Sequence, residues 1–475
     1  MVNQDKKPAK SKVPHSDSCE FYLKGFDTHK NGCGQIKITN RPPQFGVFFD
    51  GTGNNAVNDF AQWGDKEPTN ITKLYLLYPQ NPKWHISASY IEGVGTKAHE
   101  KDSDIDMAIA YTIGNKVRQA LDRAQLFFRD YPNAPIGILD VFGFSRGAAA
   151  ARHFVNEVQQ LNKIDPKHFG GPQLQIRFLG LFDTVGSIGV PGDNSQTLYD
   201  GESFILDINP NAVQHVFHLT ARHEQRKYFP LSSILTAPGQ SPAPHFEEVE
   251  IPGAHSDVGG GYGTKPDMVY YPEESFGWNM TGQRKQKLID LKARYEKQYP
   301  DPGVNITMKV QDVEANAGMI SLVYPEWRRE IRPQLAFSAL SKMYAKATEK
   351  GVPLEPLEML LKEDGFTNRQ TEEVYVLPSD LQDHLTRLDS NPHNTRIEDY
   401  IYEHYIHHSH QYRATPHPWA WTTINSNEAT SNQNHPAPNG KREIIYNKIY
   451  LGYSPADQWM RIHVRRPGIG IWERQ

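Results

Sequence analysis

Short, unbroken apolar runs alternate along this chain with stretches whose apolar residues recur at three-and-four spacing. Phe45 to Phe49 (FGVFF) is one such run, and it ends at Asp50-Gly51-Thr52-Gly53-Asn54-Asn55. That pattern predicts a buried strand followed by a glycine-rich loop. His85 to Ile91 alternates and predicts a second strand. Within Ile105 to Phe128, Ala108, Ile109, Ile113, Val117, Ala120, Leu121, Ala124 and Phe127 fall on one helical face. Ile136 to Phe142 predicts a third strand, running straight into Gly143-Phe144-Ser145-Arg146-Gly147 and a helix to Leu161. Ile176 to Phe182, Val213 to Leu219 and Phe246 to Ile251 predict three more strands. Strands alternating with helices imply an α/β fold, a mainly parallel sheet flanked by helices. Right-handed crossovers put the C-terminal ends of all these strands on one rim, where open α/β sheets bind their ligands.

Beyond residue 264 the pattern loosens. Gln334 to Lys350 predicts a helix, ended by Gly351 and Pro353. Residues 408–442 are rich in His, Pro, Asn, Ser and Thr and contain Trp419 and Trp421, which predicts an ordered excursion or an insertion. Residues 1–14, Lys- and Pro-rich with little to bury, read as a disordered tail. The expected organisation is an N-terminal tail and extension over 1–44, a catalytic core over 45–265, and a C-terminal region over 266–475. That last region completes or covers the core, with 408–442 as a candidate lid or membrane contact.

Composition narrows the class. The 475 residues hold 51 Lys and Arg against 55 Asp and Glu, a net charge of −4. No strong field pulls the molecule toward nucleic acid, and no nucleic-acid partner is expected. No apolar run approaches the ~18 residues that a membrane span needs. The N-terminus lacks the apolar stretch of a cleaved signal, so synthesis in the cytoplasm without signal cleavage is expected. Two cysteines, Cys19 and Cys33, cannot form a disulfide framework.

The central chemical signal is Gly143-x-Ser145-x-Gly147 between an apolar strand and an Ala-rich helix. In that context the serine hydroxyl is pushed out on a strained turn, while Gly143 and Gly147 let strand and helix approach. The Arg146 N–H at the helix start faces a developing oxyanion. A serine needs a base and an orienting acid. In the chain order Ser, acid, His, the candidates are Asp183, which caps a predicted strand, and His255, in the loop after another. A second oxyanion donor is expected from the loop after the first strand, at Gly51 or Thr52. Rival bases are His407 and His408 in a His-rich run, which also suggests metal ligation. Asp257 is a rival acid or a cation ligand. No HExxH or paired-Cys spacing supports a metal site. Asp102-x-Asp104-x-Asp106 opens like a calcium loop, but Met107 and Ile113 stand where Gly and Glu are required. The bland alternatives are a tight turn with an incidental serine, a turn-forming Asp183 and a surface His255.

Four stretches in order carry a resemblance: Phe49-Asp50-Gly51-Thr52-Gly53-Asn54, Gly143-Phe144-Ser145-Arg146-Gly147-Ala148, Gly180-Leu181-Phe182-Asp183-Thr184-Val185-Gly186-Ser187, and Pro252-Gly253-Ala254-His255-Ser256-Asp257-Val258-Gly259-Gly260-Gly261-Tyr262. The set resembles the α/β-hydrolase-like family that includes the first group of type VI secretion lipase effectors, over about residues 45–265, with a weaker echo in Ala339 to Pro356. The resemblance implies an α/β-hydrolase-like fold with C-terminal insertions, and a triad of Ser145, Asp183 and His255. It implies phospholipase A activity on bacterial glycerophospholipids at a membrane surface, with no cofactor. It further implies export by a type VI apparatus to the target-cell periplasm, a secretion spike protein as partner, and an immunity protein in the producing cell. Two other readings stay open: a carboxylesterase on a different ester, and a non-catalytic hydrolase-fold binding module. Gly186 to Pro210 and the Trp419/Trp421 region are the candidate lipid contacts, with ordinary loops as the bland reading.

Overall fold

The structure is a computed structural model. It describes residues 41–61, 67–96, 109–186, 205–226, 229–263, 267–270, 275–276, 305–315, 318–361, 376–391, 394–407 and 442–445, with short pieces between 289 and 297. The tail 1–14, Cys19 and Cys33, the Asp102–Asp106 loop, His408, and Trp419 and Trp421 lie outside the described residues, as does 187–204 of the candidate lipid-contact segment.

In chain order the first elements are β1 (Gln44–Phe49), α1 (Ala56–Ala61), α2 (Asn70–Leu77), β2 (Ile86–Ile91), α3 (Ile109–Phe128), β3 (Ile136–Phe144), α4 (Arg146–Ile164) and β4 (Gln173–Phe182). There follow β5 (Val213–Ala221), β6 (Leu231–Ser232), β7 (Phe246–Ile251) and the five-residue α5 (His255–Gly259). Six of these strands form one sheet in the order β2-β1-β3-β4-β5-β7. Every neighbouring pair in it is parallel. The fold is α/β, a parallel central sheet flanked by helices.

The apolar runs are continuous because both faces of the sheet are covered. Val47, Phe49, Leu139 and Val141 point to one face and pack with Val117, Leu121 and Ala124 of α3 and Ala148, Ala151, Phe154 and Val158 of α4. Phe48, Phe142, Phe144, Phe178 and Phe182 point to the other face, toward Ile71 and Leu74 of α2. That face is closed by a later helix, α6 (Gln334–Glu349), through Ala339, Leu340, Met343 and Ala347. The Phe48 and Phe142 rings stack at 5.1 Å. One polar network interrupts this layer: Arg177 Nε donates to Asp140 Oδ1 at 2.9 Å and Tyr78 Oη donates to Asp140 Oδ2 at 2.8 Å.

The loosened region contains strands that the sequence pattern did not predict. These are β8 (Asp267–Tyr270), β9 (Ser275–Phe276), β10 (Asn305–Ala315) and β11 (Gly318–Glu330). β10 and β11 form a long antiparallel hairpin, with β8 and β9 paired to β11. Beyond α6 come α7 (Ser379–Ser390) and α8 (Thr395–Tyr405), which pack Leu381, Leu385 and Leu388 against Ile397, Ile401 and Tyr405. The last described element, β12 (Ile444–Ile445), pairs in parallel with β6.

Buried polar side chains of α4 fasten the chain around this frame. Arg152 donates to the carbonyls of Leu206 and Ser232 at 2.7 Å each and to that of Ser233 at 3.3 Å. Asn156 donates to the carbonyls of Ile205 and Asp207.

Candidate active site

The strand–helix junction sets the site. Ser145 separates β3 from α4 with φ 59° and ψ −126°, a conformation that L-residues adopt only when their surroundings enforce it. Its N–H donates to the Phe182 carbonyl at 3.0 Å, and its carbonyl accepts from Ala148, Ala149 and Val185. The flanking glycines are steric necessities. A Cβ on Gly143 would lie 2.6 Å from the Ala148 Cα, and one on Gly147 would lie 2.3 Å from the Asp50 carbonyl oxygen.

Asp183 follows β4 directly and also has a positive φ, 40°. His255 is the first residue of α5, after β7. The structure brings the three together. His255 Nε2 lies 2.8 Å from Ser145 Oγ, and His255 Nδ1 lies 2.6 Å from Asp183 Oδ2. A carboxylate can only accept, so Nδ1 carries the proton and Nε2 accepts from the serine hydroxyl. All three side chains are buried. The Phe144 and Phe229 rings wall the imidazole at 4.6 and 5.1 Å between centroids. Burial pushes the His255 pKa below its ordinary value of 6.5, against the opposing pull of Asp183. Burial would raise the Asp183 carboxyl, but the Arg442 charge and the His255 hydrogen bond hold it well below the usual carboxylate range.

The loop after β1 runs against this turn. Asp50 accepts from Tyr90 Oη at 2.6 Å, from Thr69 Oγ1 at 2.8 Å and from Thr72 Oγ1 at 3.1 Å. Burial raises its pKa. The Gly51 N–H donates to Asp50 Oδ1 at 2.7 Å. Thr52 lies on the same loop, and its buried Oγ1 has no hydrogen-bond partner among the described residues.

The rival residues go elsewhere. His407 Nδ1 lies 2.6 Å from Asp257 Oδ1, and the His407 N–H donates to Asp257 Oδ2 at 2.9 Å. Tyr262 stacks on the His407 ring at 3.9 Å. Asp257 Oδ2 also accepts from the Ala254 N–H at 2.9 Å. Asp257 and His407 therefore fasten each other and the start of α5. Neither is an orienting acid or a base toward Ser145. Among the described residues no group of three or more His, Cys, Asp or Glu is placed to hold a metal ion. No described helix is long and apolar enough to cross a membrane.

The model of the family described as "T6SS, Phospholipase effector Tle1-like, catalytic domain" matches residues 44–168 and 155–281. The chain belongs to this family. Tle1-like proteins are phospholipase effectors of the type VI secretion system, which makes the chain a lipolytic hydrolase by class. Among solved structures, one of the Tle1 effector bound to the VgrG spike of the type 6 secretion system matches at TM-score 0.56 and 24% identity, over 88% of this chain and 98% of that one. It is a likeness of fold. An uncharacterized protein from Pseudomonas aeruginosa matches at TM-score 0.46 and 20% identity, over 76% of this chain and 52% of that one. No curated protein matches.

Several residues at the site of this Tle1-like chain escaped sequence reasoning. Arg442 donates to Asp183 Oδ2 through Nη1 at 2.8 Å and to Oδ1 through Nη2. Glu224 accepts the His255 N–H at 3.2 Å and the Arg226 Nε–H at 3.0 Å. Burial would raise Glu224, yet the Arg226 charge brings it down to about 2. His218, hydrogen-bonded through Nδ1 to Glu248 at 3.0 Å, accepts the Thr184 N–H at 3.1 Å and so steadies the turn that bears Asp183. The Glu-x-Arg spacing at 224–226, in the loop after a predicted strand, was a readable local signal. Arg442, 259 positions from its partner, offered none.

Proposed function

We propose that this Tle1-like chain is a serine acylhydrolase of phospholipase A type. The hydrogen-bonded chain from Ser145 through His255 to Asp183, on a turn of positive φ, is the observation that carries this reading. Ser145 Oγ attacks the ester carbonyl carbon while His255 Nε2 takes its proton. The N–H of Arg146, first in α4, and the loop at Thr52 donate to the oxyanion. Collapse expels the lysophospholipid alkoxide, which receives the proton from His255, and leaves an acyl-enzyme. Water, deprotonated by His255, then releases the fatty acid. Asp183 fixes the imidazole tautomer and stabilises the imidazolium. Glycines 143 and 147 hold the junction tight enough for this geometry.

Residues 45–265 serve as the catalytic core, and 266–475 complete or cover it. The chain acts on glycerophospholipids at a membrane surface of the target-cell periplasm, delivered by the type VI apparatus. A spike protein is its carrier, as VgrG is bound by the structural neighbour, and an immunity protein protects the producer. Mass spectrometry of products from defined phospholipid vesicles tests the reading. Free fatty acid and lysophospholipid should appear with the native protein and vanish with Ser145→Ala. Cleavage of short water-soluble esters alone would leave an esterase and overturn the lipid assignment.

A further inference from the structure

Asp183 has more donors than an orienting acid requires. Oδ2 receives His255 Nδ1 and Arg442 Nη1, and Oδ1 receives the Ala221 N–H at 2.9 Å and Arg442 Nη2. The guanidinium is buried and forks across both oxygens, the bidentate geometry that fixes a carboxylate in plane. It also donates to the carbonyls of Ala221 at 3.2 Å and Phe229 at 3.5 Å. The main chain beside it is tied down as well. Leu231 N donates to the Glu443 carbonyl at 2.8 Å, and Ser233 N donates to the Ile445 carbonyl at 2.9 Å. The short β6–β12 pairing thus carries a cation from the C-terminal region to the acid of the core, from a position well beyond the matched residues 44–281.

Two ion pairs lie beside His255. Asp183 carries Arg442 and Glu224 carries Arg226, so the loops after β4 and β5 and the C-terminal segment bring two carboxylates and two cations near the imidazole, while Arg146 at the start of α4 places a further cation 5.8 Å from the Phe229 ring that walls His255. Asp257, on α5 itself, is committed to His407. A lone buried carboxylate would favour imidazolium strongly. A carboxylate already neutralised by a guanidinium favours it less, so the base stays neutral to lower pH.

We infer that Arg442 is a positioning residue: it locks the plane of Asp183 and offsets its charge, keeping His255 a free base in the resting protein. The activity arm of this inference rests on the acylhydrolase reading, while the charge arm does not. Removing the cation should raise the His255 pKa, because imidazolium then faces an uncompensated carboxylate.

The test is NMR titration of His255, assigned by its loss in His255→Ala, together with pH profiles of kcat/KM on a soluble ester. In Arg442→Gln the His255 titration and the acidic limb should both move up by about one pH unit. Plateau kcat/KM should fall roughly 10- to 100-fold. Arg442→Lys keeps the charge but not the fork, so its titration should stay within ~0.2 of the native value while kcat/KM falls about fivefold or more. An unmoved titration in Arg442→Gln overturns the inference, whatever happens to the rate. Should that variant fail to fold, the lysine variant decides, and native kcat/KM there overturns the inference. An NMR shift in a protein that hydrolyses no ester, with Ser145→Ala indistinguishable from native, would sink the acylhydrolase reading and leave the role of Arg442 standing.

Discussion

Replacing Gly147 with alanine puts the strand–helix junction under a defined load. The new Cβ would sit 2.3 Å from the Asp50 carbonyl oxygen and 2.5 Å from that of Phe49. Ordinary carbon–oxygen contact begins at roughly 3.3–3.6 Å, so about 1 Å of displacement is required. The atoms in the way are main chain at the end of β1, which no rotamer change can move aside. Overpacking of this kind costs about 1–3 kcal/mol, and rigid neighbours put this case near 3 kcal/mol. The displaced segments are the Asp50–Thr52 loop and the start of α4, the two sources proposed for oxyanion donors. A misplacement of about 1 Å there should lower kcat roughly 100-fold. Gly239→Ala is the control: its φ is 68° but the added Cβ meets nothing within 4 Å, so it should cost about 1 kcal/mol of backbone strain and leave the rate unchanged. Urea unfolding by circular dichroism gives the stability arm, and initial rates on a soluble chromogenic ester give kcat. A Gly147→Ala protein with stability within ~0.5 kcal/mol and kcat within twofold of native would refute the steric argument.

Three further outcomes follow from the same geometry. His255→Ala should lose at least as much kcat as Asp183→Asn, on the order of 10⁴-fold, because the base moves the proton and the acid only orients it; steady-state rates of the two variants side by side check this, and a more severe Asp183→Asn would reverse the assignment. Activity requires neutral His255, and burial lowers its pKa, so kcat/KM should fall with decreasing pH through a limb below 6.5; a pH–rate profile with its acidic limb above 6.5 contradicts this. His407→Ala should cost about 2 kcal/mol by stranding Asp257, with kcat within threefold of native; urea unfolding and rates on the same preparation separate this from a catalytic role, which would show as a collapse of kcat.

The parallel sheet was legible because strands covered on both faces leave continuous apolar runs, and FGVFF, IGILDVF and IRFLGLF are such runs. The closeness of Ser145, Asp183 and His255 was legible for a related reason. Ser145 and Asp183 directly follow strands and His255 lies just beyond one, and parallel strands deliver their ends to one rim. The reading lost resolution where partners are distant or elements are short. The β10–β11 hairpin passed unnoticed because Asp312, Glu314 and Pro325 break the apolar pattern. Asp257 stands two residues from His255, which suggested a local pairing, yet the helical turn sends its carboxylate to His407. Gly51 reads as an open donor in sequence, but Asp50 folds back onto its N–H. Arg442 follows a His-, Pro- and Asn-rich stretch and meets Asp183 only through the two-residue pairing of β12 with β6, which no periodicity encodes.

Covalent trapping addresses the proposed nucleophile directly. Native protein treated with a fluorophosphonate should gain one adduct, and tandem mass spectrometry of its peptides should place it on Ser145. Labelling should disappear in Ser145→Ala and slow severely in His255→Ala, where nothing takes up the proton. An adduct on another residue, or labelling that persists at the native rate in Ser145→Ala, would contradict the account at its root.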